Sequence, residues 1–265
     1  MNKIKLLFIL ILGVVITTFF SCKKVGEIDD TKCESNSRHV NKEVYKNGDY
    51  TILEYNTKGE IILKTDYDIS GDTKGYTNYY YSNKLLLKIK ISYEESADIW
   101  QYKFTYSDDG KLLLGIAENS RHGGELYSFV YSGDKITEVR KETGSSIERF
   151  VYTYEGDIIT SRKRFSRAGI FGDEEFMSTS VYEYDGKENP YHGIGLDIFV
   201  GVFDLRYMSK SNILKITTIT NNSSADSSIV NYKYKYDSRN YPIERRMNSR
   251  WNGNDKSESI LMEYD

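Results

Sequence analysis

Cysteine, proline, histidine and tryptophan are all scarce in this 265-residue chain, with two, two, three and two copies. With only Cys22 and Cys33, no disulfide framework or cysteine metal site can be assembled. The three histidines, His39, His122 and His192, show no zinc-ligand spacing with one another or with acids. No charge of one sign dominates: 36 basic against 39 acidic residues leave a formal charge of −3, with no basic cluster to serve a nucleic acid. Alanine is sparse, which disfavours a helical protein. Long apolar runs are also missing, with one exception. Leu6–Phe20 is a stretch of 15 uncharged residues, shorter than the roughly 20 that span a bilayer core.

That run follows Lys3 and Lys5 and ends at a small residue, Ser21, which is the pattern of a secretory signal. Phe19-Phe20-Ser21-Cys22 resembles the lipobox of bacterial lipoproteins. The resemblance implies cleavage before Cys22, acylation of its thiol, and anchoring by lipid where two or more acyl chains hold stably. Lys23 and Lys24 lack the acid that, by the same resemblance, retains such proteins in the inner membrane, so the outer membrane is expected. Residues 1–21 are thus read as a signal peptide, 22–43 as a lipidated flexible tether and 44–265 as the folded domain. Loss of Lys3 and Lys5 takes the formal charge from −3 to −5. Cys33 is then an incidental thiol in the tether.

What the chain does have is tyrosine, 24 of them, a residue suited to a pleated, half-buried surface. They recur with a polar turn and an aliphatic residue behind them: Tyr55 to Ile61, Tyr81 to Leu85, Tyr106 to Leu112, Tyr131 to Ile136 and Tyr154 to Ile158. Looser copies begin at Tyr184, Tyr207 and Tyr236, and the last tyrosine is Tyr264, giving intervals of 23 to 30 residues. Two places before each stands an apolar residue (Leu53, Tyr79, Phe104, Phe129, Tyr152, Tyr182, Leu205, Tyr234, Met262), and mostly polar ones lie between. A period of two means a strand with one buried face. Glycine, Asn and Asp in the intervening turns accept positive φ, so each unit reads as a β-hairpin, with strands of ~7–8 residues.

One hairpin cannot bury its apolar face alone. The expected fold is therefore all-β, an antiparallel meander of ~25-residue hairpins curled into a strongly curved sheet or incomplete barrel. Polar stretches such as Glu118–Glu125 and Glu142–Ser146 read as the connections between hairpins. Lys88, Lys90, Lys103, Arg162 and Arg164 fall in predicted strands, which argues against the apolar outer band of a membrane-spanning barrel. The stretch from Asn189 to Arg206 breaks the alternation and reads as a short helix, a plug over the open end, or a buried strand.

The unit Tyr-(Asp/Ser/Asn)-x-x-Gly-(Lys/Glu)-(Leu/Ile) is similar to the YD repeat of Rhs-type proteins. With the lipobox, residues 50–265 look like the YD-repeat-like lipoproteins of Bacteroidota. Tyr184-Asp185-Gly186-Lys187-Glu188-Asn189-Pro190, Ser209–Asn212 and Tyr236-Asp237 carry the resemblance in the second half. It implies an extracytoplasmic all-β domain and brings no catalytic residues.

Sites are few. Cys22 is the lipid-attachment residue. His192, between Pro190 and an apolar segment, is the one candidate acid/base, while His39 and His122 read as solvated. Asp108-Asp109-Gly110 reads as a hairpin tip rather than a calcium site; Asp29-Asp30 and Asp173-Glu174-Glu175 are the other acidic spots. No catalytic, cofactor or metal residue is assigned. Most tyrosines read as core filling, but in Tyr79-Tyr80-Tyr81 the middle ring must point outward when its neighbours point inward. Trp100 and Trp251 are left undecided between faces. The leading functional expectation is a membrane-tethered binding module of the cell envelope, for a glycan or an envelope protein. An exported hydrolase using paired carboxylates and a purely structural envelope component are the alternatives.

Overall fold

The computed structural model describes residues 39–119, 123–144, 146–169, 172–192, 208–221, 227–251 and 254–264. Within them the chain is a meander of antiparallel strands. The first eight are β1 (Val40–Tyr45), β2 (Tyr50–Tyr55), β3 (Ile61–Tyr67), β4 (Thr73–Ser82), β5 (Leu85–Tyr93), β6 (Ser96–Tyr106), β7 (Leu112–Asn119) and β8 (Gly123–Ser132). The second eight are β9 (Lys135–Thr143), β10 (Ser146–Glu155), β11 (Ile158–Ala168), β12 (Glu174–Glu188), β13 (Ser211–Thr220), β14 (Ser228–Tyr236), β15 (Pro242–Trp251) and β16 (Asn254–Tyr264). Each strand pairs with its sequence neighbours, and β16 pairs with β1, so the sheet is a closed barrel.

Closure corrects the expectation of an incomplete barrel, and its physical cause recurs in every unit. At each repeat tyrosine the register slips by one residue: at Glu54/Tyr55, Tyr80/Tyr81, Thr105/Tyr106, Val130/Tyr131, Thr153/Tyr154, Glu183/Tyr184 and Lys235/Tyr236. The extra residue lies on the partner strand and is turned outward. Ile62, Leu87, Leu113 and Ile243 in this position are all exposed, and the Thr137 and Thr160 hydroxyls donate to Val130 O and Thr153 O. A β-bulge bends its strand and sharpens the local twist. Repeated once per hairpin around the sheet, it supplies the curvature that closure demands.

Beside the bulge, the tyrosine hydroxyl reaches back to the preceding unit. Tyr106 donates to Leu86 O at 2.8 Å, Tyr154 to Ile136 O at 2.8 Å and Tyr184 to Ile159 O at 2.6 Å. Tyr55 donates to Val40 O at 2.7 Å and Tyr264 to Pro242 O at 2.8 Å. The seam belongs to the same series. Tyr264 opposes Val40 as Tyr55 opposes Ile61, and the slip between Val40 and Lys42 is one more bulge. The chain's two ends thus build one hairpin unit between them, which makes eight units of two strands. Strand β1 therefore starts inside the stretch read as tether, and His39 is not simply solvated, since its ring stacks on Tyr55 at 4.7 Å.

Bulges also set which residues face inward after the turns. Leu86, rather than Leu85 or Leu87, points inward with Ile89, because Tyr81 pairs with Leu86 and Tyr79 with Ile89. The strands run longer than the predicted hairpins. Most of Glu118–Glu125 and Glu142–Ser146 is strand, paired as Ala117↔Glu125 and Ile147↔Glu142.

The inward face has two zones. Near the tyrosine turns it is apolar: Leu53, Tyr79, Phe104, Phe129, Phe150, Tyr152, Ile260 and Met262 are each no more than 8% exposed. Rings this well covered mean that the lumen is filled at this end. Toward the opposite end the inward face turns polar. Lys141 meets Glu125 at 2.7 Å, the Arg164 Nε donates to Glu148 at 2.9 Å, and Lys64 meets Asp66 at 3.1 Å. Arg162 and Arg164 pair with the inward Tyr152 and Phe150, so they face the lumen and are no argument about the outer surface. Lys88, Lys90 and Lys103 do lie outside, opposite Tyr80, Asn78 and one another. Tyr79 is 8% and Tyr80 43% exposed, so the middle ring of the triplet does point outward. Trp100 packs inward against the core; the side chain of Trp251 lies outside the described ones.

Candidate functional site

Among the described residues, two places break the eight-unit regularity. At the tyrosine end, β12 and β13 are joined by a long connection of which 189–192 and 208–210 are described. Asn189 donates to Ser209 O at 2.7 Å, and its side chain accepts from Tyr191 N at 3.1 Å. Both Asn189 and Tyr191 are buried. The Tyr191 hydroxyl donates to the inward Glu43 carboxylate, so the connection sends a ring into the barrel mouth. Here Tyr236 abandons the usual carbonyl and donates instead to Asp185, with Lys187 Nζ 3.5 Å from its ring centroid. Residues 196–205, the apolar part of 189–206 on which the three readings turn, lie with Tyr207 outside the described residues.

His192 sits on the outer side of this connection, in a cleft of about 410 Å³ bounded by Lys187, Glu188 and Lys210. Burial, then the charge of Lys210, lowers its pKa, so it is neutral near pH 7. No carboxylate is hydrogen-bonded to it among the described contacts.

The second break is a low stretch of wall at the opposite end. Strands β1, β2 and β3 have 6, 6 and 7 residues, whereas β16 has 11. The seam pairing stops at Tyr45↔Ile260, while β16 continues with β15 to Trp251↔Asn254. Residues 257–259 therefore have β15 on one side and a cleft on the other. That cleft has a volume of about 670 Å³, and its walls include Tyr45, Asp49, Tyr50, Asp66, Tyr67, Lys74, Ser257, Glu258 and Ser259.

Local sequence explains the cleft. The turn Lys46-Asn47-Gly48-Asp49 cuts the first hairpin short, with Gly48 at φ 90° and Gly48 N donating to Tyr45 O at 2.9 Å. A Cβ on Gly48 would come within 2.5 Å of the Ile69 side chain, so glycine lets this turn press against the next one. Just beyond it, Tyr50 and Tyr67 oppose each other and stack, with centroids 4.8 Å apart and planes at 13°. Lys42 Nζ approaches Tyr50 from the β1 side at 5.3 Å. On the inward side Thr51 donates to Asp66 at 2.5 Å.

The polar groups are held in defined charge states. A hydrogen bond from Lys74 at 2.7 Å, helped by Asn47, keeps the Asp49 pKa below its ordinary value. Burial and the nearby Glu43 push the Tyr45 hydroxyl up to about 12, so it stays a donor, to Glu43 at 3.2 Å. Across the described residues, each carboxyl whose pKa clearly departs is lowered: Asp49, Asp68, Asp109, Asp157, Glu174, Glu244 and Asp255. Those groups are anions at neutral pH, suited to accept hydrogen bonds rather than to donate a proton.

Among the described residues no three His, Cys, Asp or Glu converge as a metal site. Asp108-Asp109-Gly110 is a hairpin tip, in which Ser107 bonds Asp109 and Gly110 N donates to Ser107 O at 2.9 Å. Glu174 of the other acidic run is engaged by Arg149. Cys22, Cys33, Asp29, Asp30 and His122 lie outside the described residues. None of the cleft residues was singled out from the sequence. The available signal was the spacing: only six residues separate the Asn47-Gly48 turn region from the next turn at Asn56, too few for a full-height strand.

No family model matches the chain, and no curated protein matches it. Solved structures do. The fold is similar to a porin-like protein from Bacteroides uniformis ATCC 8492, with a TM-score of 0.53 and 13% identity over 85% of this chain and 96% of that one. It is likewise similar to a porin-like protein from Bacteroides vulgatus ATCC 8482, with a TM-score of 0.55 and 16% identity over 86% and 99%. At that identity the likeness establishes a shared barrel fold.

Proposed function

We propose that this chain is a lipid-anchored binding module of the bacterial cell envelope, held at the outer membrane through Cys22, with its barrel standing in water. The outer face at mid-strand carries this reading. Lys88, Lys103, Arg140, Lys163, Lys233 and Arg246 all occupy outward positions near the middle of their strands. Many of the outer charges are tied across strands, as in Lys103–Glu118 at 2.9 Å, Arg149–Glu138 at 3.1 Å and Lys215–Glu183 at 2.8 Å. A cation facing lipid at the bilayer midplane costs about 2–4 kcal/mol, whereas the same pairs on a wet surface are close to neutral in energy. The surface favours water.

A barrel of this kind needs another means of staying at a membrane, and the lipobox-like Phe19-Phe20-Ser21-Cys22 supplies one. The filled apolar end of the lumen favours binding over conduction, and the rim cleft offers a place for a glycan or an envelope protein. The porin-like neighbours and the resemblance to YD-repeat lipoproteins both agree with an envelope setting.

The test has two parts. Cells fed an alkyne-tagged fatty acid should label the wild-type chain and not Cys22→Ala; equal labelling removes the anchor from the proposal. The chain from Lys23 onward, exported behind a signal without a lipobox, should be recovered folded without detergent. A requirement for detergent would place the barrel in the bilayer instead.

A further inference from the structure

We infer that the rim cleft beside β1–β3 is a carbohydrate site that takes a short, non-acidic oligosaccharide, with Tyr67, braced by Tyr50, as its stacking platform. The inference deepens the proposed binding role and rests on it. Three features of the cleft point to this ligand class together. Its volume of about 670 Å³ lies in the range of small-ligand pockets. Its rim carries Tyr50 and Tyr67 stacked in parallel, 4.8 Å apart; Lys42 lies over Tyr50, so the ring face for a ligand is that of Tyr67 turned away from Tyr50, braced in place before a ligand arrives. Ordering these rings costs nothing further on binding, which is how preorganisation favours affinity.

The third feature is the lining. A sugar ring presents an apolar face and an equatorial belt of hydroxyls, so it needs an aromatic plane beside mixed donors and acceptors. The cleft provides Asn47, Asp49, Asp66, Ser257, Glu258 and Ser259 as such groups. Among the described residues the seam pairing ends at Ile260, so the main chain of residues 257–259 adds backbone N–H and C=O groups to the cleft wall. Asp49 is a fixed anion that accepts from both Asn47, at 2.9 Å, and Lys74. Carboxylates braced in this way are strong acceptors for hydroxyl donors.

Charge selects among sugars. Asp49, Asp66 and Glu258 face Lys46 and Lys74 across the cleft, and Asp66 and Glu258 are additionally paired with Lys64 and Lys256. Of the two lining lysines, Lys74 is committed to Asp49, and the three lining carboxylates outnumber the pair, so an incoming uronate would meet carboxylates first. A neutral or amino sugar meets no such repulsion. The regular hairpins of the barrel also have outward rings, such as Tyr80, but Lys88 Nζ lies over that ring at 4.1 Å, and no cleft adjoins it among the described pockets.

The experiment uses the full mature lipoprotein in detergent micelles. Neutral tri- to hexasaccharides of α- and β-linked glucose, mannose and N-acetylglucosamine are titrated by calorimetry at 0.15 M salt, beside trigalacturonate. At least one neutral probe should bind saturably, and trigalacturonate at least tenfold more weakly. Tyr67→Ala should weaken the neutral probe tenfold or more, while Tyr67→Phe, which keeps the ring, should bind within about twofold of wild type. Melting curves for both variants separate loss of binding from loss of fold. Saturation by none of the neutral probes, preference for the uronate, or undiminished binding by folded Tyr67→Ala would each overturn the assignment. Such a failure leaves fatty-acid labelling and detergent-free recovery untouched, so it is distinguishable from failure of the lipid-anchored reading.

Discussion

A single hydroxyl does most to explain why tyrosine, rather than phenylalanine, recurs in this chain. The repeat tyrosine lies at the bulge, and at Tyr55, Tyr106, Tyr154, Tyr184 and Tyr264 its hydroxyl donates to a carbonyl of the preceding unit. Burial pushes the Tyr154 pKa up to about 12 and that of Tyr106 likewise, so each remains protonated and able to donate. The Tyr154→Phe substitution leaves Ile136 O without this partner. A hydrogen bond of this sort contributes about 1 kcal/mol net, which for a domain of this size lowers Tm by roughly 2–4 °C. Thermal unfolding followed by circular dichroism measures it, with Tyr80→Phe, whose ring is 43% exposed, as the control that should not shift. Equal melting of the two variants would deny the hydroxyl its role. The tyrosine positions were legible in the sequence from their spacing. The acceptor carbonyls were not, because they belong to the previous unit and are brought near only by pairing across the sheet.

Among the elements, the hairpins behaved as period-two patterning and turn chemistry predict, and the bulges did not. An alternating pattern marks which residues share a face, but a single outward Leu or Thr after a turn looks the same whether it pairs or bulges. Strict alternation backward from Ile89 would turn Leu85 and Leu87 inward, whereas the structure buries Leu86. Turns can be tested directly. Gly110 has a φ of 82°, and the nearest atom to an added Cβ is Leu85 Cδ2 at 3.9 Å, so space is available and only the backbone resists substitution. Gly110→Val should destabilise the domain by about 1–3 kcal/mol through left-handed strain. Gly110→Asn, which tolerates that region, should recover most of the loss in a urea titration. Were valine and asparagine equivalent there, strain at the tip would not be the cause. The same reasoning applies to the short first hairpin: its Asn47-Gly48 turn was visible, but its consequence, a gap in the wall beside β16, depends on which strand lies next to it.

At the scale of the whole molecule, closure depends on a contact between the two ends of the chain, 40 residues in and at the C-terminal strand. Val44 and Leu261 are register partners across that seam, with Cα spacing in an antiparallel pair compatible with a disulfide. In a Cys33→Ser background, Val44→Cys with Leu261→Cys should oxidise to an intramolecular bond, seen as faster migration on a non-reducing gel. Persistently free thiols under oxidant would mean an open sheet. Closure also settles the meaning of the charged strand residues. Arg162 and Arg164, counted from the sequence as outer-surface charges, line the lumen, where Arg164 meets Glu148. Lys88, Lys90, Lys103 and their outward counterparts are the strand charges that lie on the outer face.

By itself the sequence determined that the chain is β-rich and antiparallel, that it is built from hairpin units, and that each unit buries one aromatic face. These follow from local alternation, from turn residues that accept positive φ, and from the need of a hairpin to find a neighbour. It also determined the lipobox-like start, which is a pattern of adjacent residues. Only the tertiary structure decided that eight units close into a barrel with one unit shared between the chain ends. It alone decided which charges face inward and where the wall is low enough to leave a cleft. Those properties depend on register and on accumulated bend, and neither is stored in any one stretch of residues: each bulge shifts every position after it, and curvature is the sum of them all.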